Sequence, residues 1–143
     1  MRKEVCALTR VYHFSAAHRL HLDKYSDAEN ARVFGKCNNP RGHGHDYYIE
    51  VKVTGDIDSD TGMVVNMSVL DEMMRDIVEE LDHTRLDIEI PFFREFQPSG
   101  ENIVKYIWLR LQPKMSMARL YRLKLWETPD NYFEYFEEEE PEI

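Results

Sequence analysis

Two histidines one residue apart, His43-Gly44-His45, are the sharpest chemical feature of this chain. Alternate residues of an extended chain point the same way, and the strand predicted to follow carries its apolar residues on the same odd parity, so both imidazoles can converge on one point. Neutral imidazoles suit zinc, and three protein ligands with one open position define a catalytic rather than a structural site. The third ligand must come from elsewhere, and His18, just after the first predicted strand, is the best-placed candidate. An H-x-H pair taken alone also fits two surface histidines. Cys37 precedes His43 in the irregular segment Gly35-Lys36-Cys37-Asn38-Asn39-Pro40-Arg41-Gly42. A thiol in a polar loop near cations is a better nucleophile or base than one in a core. As a fourth zinc ligand it would instead close the site and make the metal structural. Cys6, inside an apolar stretch, reads as a small buried hydrophobe. Asp82-His83 directly follows a predicted helix, where a carboxylate beside an imidazole can act as a relay or as a helix C-terminal cap. Glu127 ends the series Tyr121, Leu123, Leu125, Glu127 on one strand parity. Aimed inward, it calls for a ligand with paired N–H donors; at a strand end, it can equally reach water.

These residues need elements to position them. Residues 4–14 are rich in β-formers and predict a strand that ends at the small-residue break Ser15-Ala16-Ala17. The polar stretch from His21 to Gly44 shows little periodicity and reads as a long functional connection. Tyr47, Ile49, Val51 and Val53 alternate with polar residues, the period-two pattern of a half-buried strand. Val69, Leu70, Met73, Met74, Ile77, Val78 and Leu81 follow helical spacing, with Ser68 and Asp71 as a capping pair. Ile103, Val104, Ile107, Trp108 and Leu111 predict a second helix, with Ser99 as N-cap and Pro113 past its end. Residues 120–127 and 132–136 flank Thr128-Pro129-Asp130-Asn131 and read as a hairpin. The order β-β-α-α-β-β predicts an α+β domain, an antiparallel sheet with two helices on one face. Four strands leave two open edges, which joining sheets across subunits would remove.

Composition narrows the class of function. With 143 residues, 43% hydrophobic and 12% aromatic, the chain predicts one domain over residues 1–136 and an acidic tail over 137–143. Six glutamates and no Lys or Arg fall between Glu134 and Ile143, so most of the net charge of −9 is local and the body is nearly balanced. No Lys/Arg stripe offers itself to nucleic acid, although a basic pocket for a small anion remains open. No apolar run approaches the roughly 18–20 residues of a membrane span, and the first residues are too polar for a signal peptide. Two cysteines make no disulfide scaffold, so a reducing cytoplasmic location is expected.

Together the residues resemble the 6-pyruvoyl tetrahydropterin synthase family, including the related 6-carboxy-tetrahydropterin synthases of the queuosine pathway. The segments that carry the resemblance are Phe14-Ser15-Ala16-Ala17-His18-Arg19, Gly35 to His45, Leu81-Asp82-His83, Glu101-Asn102-Ile103 and Trp126-Glu127-Thr128, in order along nearly the whole chain. The resemblance implies the tunnelling fold, with His18, His43 and His45 binding Zn2+, Cys37 as the catalytic thiol, Asp82 and His83 assisting it, and Glu127 anchoring the pterin. It extends the expected substrate contacts to Ser99, Gly100 and Glu101 at the start of the second helix. Arg19 and Lys36, cations beside site residues, are the expected triphosphate contacts, with Mg2+ accompanying the triphosphate. The implied assembly is a homohexamer of two trimers whose strands form barrels, with active sites shared between subunits, so Cys37, Asp82 and Glu127 need not converge within one subunit. Five residues separate Cys37 from His43, as in the pyruvoyl-type enzymes; the carboxy-type proteins usually have three. Ser99-Gly100 stands where the animal synthases have a Thr pair, so any contact made there by Thr side chains is absent. His13 and His21 match no ligand position. The implied reaction turns dihydroneopterin triphosphate into 6-pyruvoyl-tetrahydropterin. The alternatives are a carboxy-tetrahydropterin product, cleavage of the dihydroneopterin side chain, or a zinc-stabilised binding module without turnover.

Overall fold

The structure, a computed structural model, describes residues 5–138, so most of the predicted acidic tail, 139–143, lies outside the described residues. Five strands form one sheet: β1 (Cys6–His18), β2 (His43–Gly55), β3 (Thr84–Arg85), β4 (Arg119–Thr128) and β5 (Asn131–Tyr135). Their spatial order is β3-β1-β2-β4-β5. All neighbours are antiparallel except β3, which runs parallel to β1 through Ala16 and Ala17. The sheet is therefore mixed, and it has one strand more than the periodicity predicts. A two-residue strand is too short to leave a pattern.

Two helices cover one face, α2 (Met67–Leu81) and α5 (Gly100–Leu111); α1 (Asp27–Phe34), α3 (Leu86–Glu89) and α4 (Phe92–Glu95) are short. Period two on the strands meets period 3.6 on the helices. Phe14 and Ala16 of β1, Tyr47, Ile49, Val51 and Val53 of β2, and Leu123 and Leu125 of β4 are buried against Leu70, Met74, Ile77 and Leu81 of α2 and Ile103, Ile107 and Leu111 of α5. The opposite parity, including Val11, Tyr48 and Tyr132, is exposed, and a register shift against β2 turns Tyr121 outward although it shares the parity of Leu123 and Leu125. Ser99 caps α5 as predicted, its side chain accepting from Asn102 N–H. The cap of α2 is Asn66 rather than Ser68, because the Asn66 side chain accepts the Ser68 N–H.

Three further expectations are corrected. β1 does not end at Ser15-Ala16-Ala17 but runs to His18. Small residues stop a strand only where its backbone lacks partners, and here β2 pairs one side while His83 N–H donates to the Ser15 carbonyl on the other. The stretch 21–44 contains α1, fixed by a reciprocal capping box between Ser26 and Glu29, followed by a 3-10 turn, Gly35–Asn38. The helix escapes periodicity because its one buried residue is polar: Asn30, whose side chain accepts from Leu22 N–H and donates to the Leu22 carbonyl. Cys6 is exposed, not buried. On the inward parity of β1, Arg10 and Tyr12 already meet Asp71 near the start of α2, and Cys6 lies beyond the helix layer.

Candidate active site

Strand register assembles the histidines. His18 pairs with His43 and Ala16 with His45 across β1 and β2, and all lie on the parity that faces the helices. The ligand nitrogens of His18, His43 and His45 all fall within 4.8 Å of one another. His18 Nδ1 donates to the Pro98 carbonyl at 2.6 Å, and His43 Nδ1 donates to the Lys36 carbonyl at 3.0 Å. A carbonyl can only accept, so in the neutral rings both Nε2 atoms present lone pairs. Those two atoms stand 3.0 Å apart, and His45 Nε2 is buried with no hydrogen-bond partner among the described residues. Burial lowers the pKa of His18 and of His45, opposed in each by the negative charge of Glu127. Three neutral imidazoles whose lone pairs crowd one point, with ring orientation fixed from behind by carbonyls, fit a metal cation of zinc's preferences.

Cys37 sits in the 3-10 turn after α1, and its carbonyl accepts from Leu20 N–H at 2.7 Å, tying the turn to the chain just past His18. It is not a member of the histidine ligand group. Burial, then the charge of Glu127, raises its pKa, so the expectation of a thiol activated by nearby loop cations is not met within the chain. A dication on the three imidazoles would act in the opposite sense. Glu127 occupies a register shift in β4, between Trp126 and Thr128, on the inward parity of Leu123 and Leu125. Its carboxylate has no hydrogen-bond or ion-pair partner among the described residues, yet its charge acts on His18, His45, Cys37 and Tyr47. It also borders a cleft of about 690 Å3 with His45, Tyr48, Trp126 and Thr128.

Asp82 and His83 are placed differently. Asp82 caps α2, its Oδ1 accepting from Ser15 N–H at 2.8 Å and its Oδ2 lying 2.8 Å from His83 Nδ1. Both contacts hold its carboxyl below the usual range, the Ser15 N–H first. His83 has a left-handed backbone, φ 59°, and an exposed side chain. His83 borders a cleft at the β3 edge of β1 with Ser15, Thr84 and Arg85, and His45 borders the same cleft. The carboxylate–imidazole pair and the helix cap thus coexist.

Among the other expected contacts, Arg19 Nε donates to the Asn38 carbonyl, just beyond Cys37, and Lys36 enters the site through its carbonyl. Glu101 is exposed in the first turn of α5. Gly100 is buried, and a Cβ there would collide with the Phe133 ring of β5, so this position admits no side chain while Phe133 stays in place. Sequence reasoning missed the Pro98 and Lys36 carbonyls, which act through the backbone and leave no residue-type signal.

The family model described as 6-pyruvoyl tetrahydropterin synthase matches residues 7–138. The chain is 44% identical over 129 residues to the human protein named 6-pyruvoyl tetrahydrobiopterin synthase, covering 90% of this chain and 89% of that one. It is 25% identical over 160 residues to the 6-carboxy-5,6,7,8-tetrahydropterin synthase of Aquifex aeolicus, covering 92% and 98%. The solved structure of Caenorhabditis elegans 6-pyruvoyl tetrahydropterin synthase superposes with a TM-score of 0.88 at 40% identity, covering 96% of this chain and 99% of that one. With fold, site geometry and similarity in agreement, the chain belongs to the 6-pyruvoyl tetrahydropterin synthase family, and it is an enzyme of the lyase type.

Proposed function

We propose that the protein is a zinc-dependent lyase that converts 7,8-dihydroneopterin triphosphate to 6-pyruvoyl-tetrahydropterin with loss of triphosphate. The observation that carries this reading is the cluster of three imidazoles whose ligand nitrogens all lie within 4.8 Å of one another, with His45 Nε2 buried and unpartnered among the described residues. His18, His43 and His45 would hold the zinc, held in turn by the Pro98 and Lys36 carbonyls. Bound there, zinc supplies Lewis-acid polarisation of the substrate's side-chain oxygens. Glu127, lacking a protein partner, accepts the paired donors of the pterin, its 2-amino group and N3–H. Cys37 is the group that takes and returns side-chain protons. Asp82 and His83, bonded to each other and facing outward, serve a thiol of a neighbouring subunit in a homohexamer rather than their own. Arg19 and Lys36 face the triphosphate, which brings Mg2+ with it; Ser99, Gly100 and Glu101 border the pterin. The catalytic domain spans 1–136, with 137–143 as an acidic tail, in a cytoplasmic protein; among the described residues no helix is long and apolar enough to cross a membrane.

The five residues between Cys37 and His43 and the 44% identity to the human protein support the pyruvoyl product over the carboxy one. The test is anaerobic incubation of the zinc-loaded protein with dihydroneopterin triphosphate, products identified by mass spectrometry, with Cys37→Ala alongside. A pyruvoyl pterin that vanishes in the variant while zinc is retained is the expected result. A carboxy-pterin with acetaldehyde moves the protein to the 6-carboxy reaction. Absence of turnover in a zinc-loaded protein favours a binding module.

A further inference from the structure

Tyr47 lies on the inner face of β2, two residues beyond His45, and the function above leaves it unassigned. It is fully buried. Its ring stacks on Phe14, with centroids 5.0 Å apart, and meets His45 edge-on at 5.6 Å. Those contacts account for the ring but not for the hydroxyl, which is buried and has no hydrogen-bond partner among the described residues. An orphaned buried O–H costs about 1–3 kcal/mol, and phenylalanine, already used at the stacked position 14, would fill the same space without that cost. Tyr48 pairs with Trp126 across β2 and β4, so strand register sets Tyr47 beside Glu127, the proposed anchor of the pterin, with His45 on its other side.

We propose that Tyr47 is a substrate-contacting residue whose hydroxyl donates a hydrogen bond to the edge of the pterin ring that bears its carbonyl oxygen and imine nitrogen. The inference rests on the pterin reading above. When a proton leaves the side-chain carbon next to the ring, the electron pair delocalises through the imine onto that nitrogen. A donor already in place there stabilises the charge as it develops, with no reorganisation during the reaction. The bond that the resting protein leaves unmade is then completed by the substrate.

The test compares zinc-loaded wild type with Tyr47→Phe. The expected variant keeps its metal, unfolds at the same or a higher temperature, and shows kcat about 100-fold lower with KM little changed. Turnover within about threefold of wild type overturns the proposal, as does a lower unfolding temperature with unchanged kcat, which assigns the hydroxyl to the fold. A crystal structure of wild type with a bound dihydropterin tests the contact without any variant: a phenol oxygen within about 3.2 Å of that ring edge supports it, and one beyond about 4 Å overturns it. If wild type binds the pterin but does not turn over, the proposed reaction fails while the bound structure still decides the contact. Failure to bind any pterin overturns both.

Discussion

The two flanks of β1 near its C-terminal end carry the same kinds of side chain and treat them oppositely. On the inner face, His18 is 1% exposed and its Nε2 faces that of His43 with no proton donor between them. Along the outer border, the His83 side chain is 83% exposed and its Nδ1 is already matched to Asp82, which is itself matched to Ser15 N–H. Burial without partners is expensive, and a chain that maintains it must recover the cost from something it binds. Exposure with partners costs little and needs no ligand. The inner cluster is thus arranged as three imidazoles able to hold a cation, whereas the outer pair is complete as a helix cap.

His45→Ala is the strongest way to break this contrast. Loss of the orphaned ligand should weaken metal binding by more than the roughly 10–100-fold that changes behind a ligand cost, measured by competition with a chromogenic chelator. Metal retention at wild-type affinity would mean that the imidazoles are an ordinary buried cluster. Gly100→Ala sharpens it at the level of packing. The added methyl meets the Phe133 ring two residues after the Pro98 carbonyl that orients His18, so a loss of about 1–3 kcal/mol in denaturant unfolding is expected, with partial recovery when Phe133→Val makes room. An additive double variant would deny the contact. The smallest effect belongs to the outer border. The lowered carboxyl pKa of Asp82 contributes stability that is present above its unfolded value near 3.9 and is lost as pH falls through the folded value. Asp82→Asn should therefore cost well under about 1 kcal/mol at neutral pH, given the exposure, and flatten the unfolding profile below pH about 4. A larger loss at pH 7 would make this border a structural keystone.

Much of this arrangement was legible in residue order. The alternation through Tyr47–Val53, the helical spacing of Leu70–Leu81 and the cap at Ser99 read directly, because each reflects one element half-buried on one face. So did His43 and His45, two positions of one strand. The pieces that escaped are those without period or residue-type signature. These are the two-residue β3, the helix at 27–34 whose buried side is an asparagine, and the carbonyls of Lys36 and Pro98, which act through the backbone that every residue shares. Cys6 failed for a different reason: its parity is inward, but the helix layer does not extend to it.

The order of residues thus determined which side chains could carry the chemistry, and that histidine, thiol and carboxylate belong to one family of sites. Only the tertiary structure decided which of them meet. His18 joins His43 because strand pairing fixes their register, and Cys37 and Glu127 approach the same point because the turn after α1 and the register shift in β4 fold toward it. Asp82 and His83, equally prominent in the sequence, are held at the edge of β1 by the Ser15 backbone. Such proximity is set by hydrogen-bond register and packing between segments far apart in the chain, and local residue patterns contain no term for either.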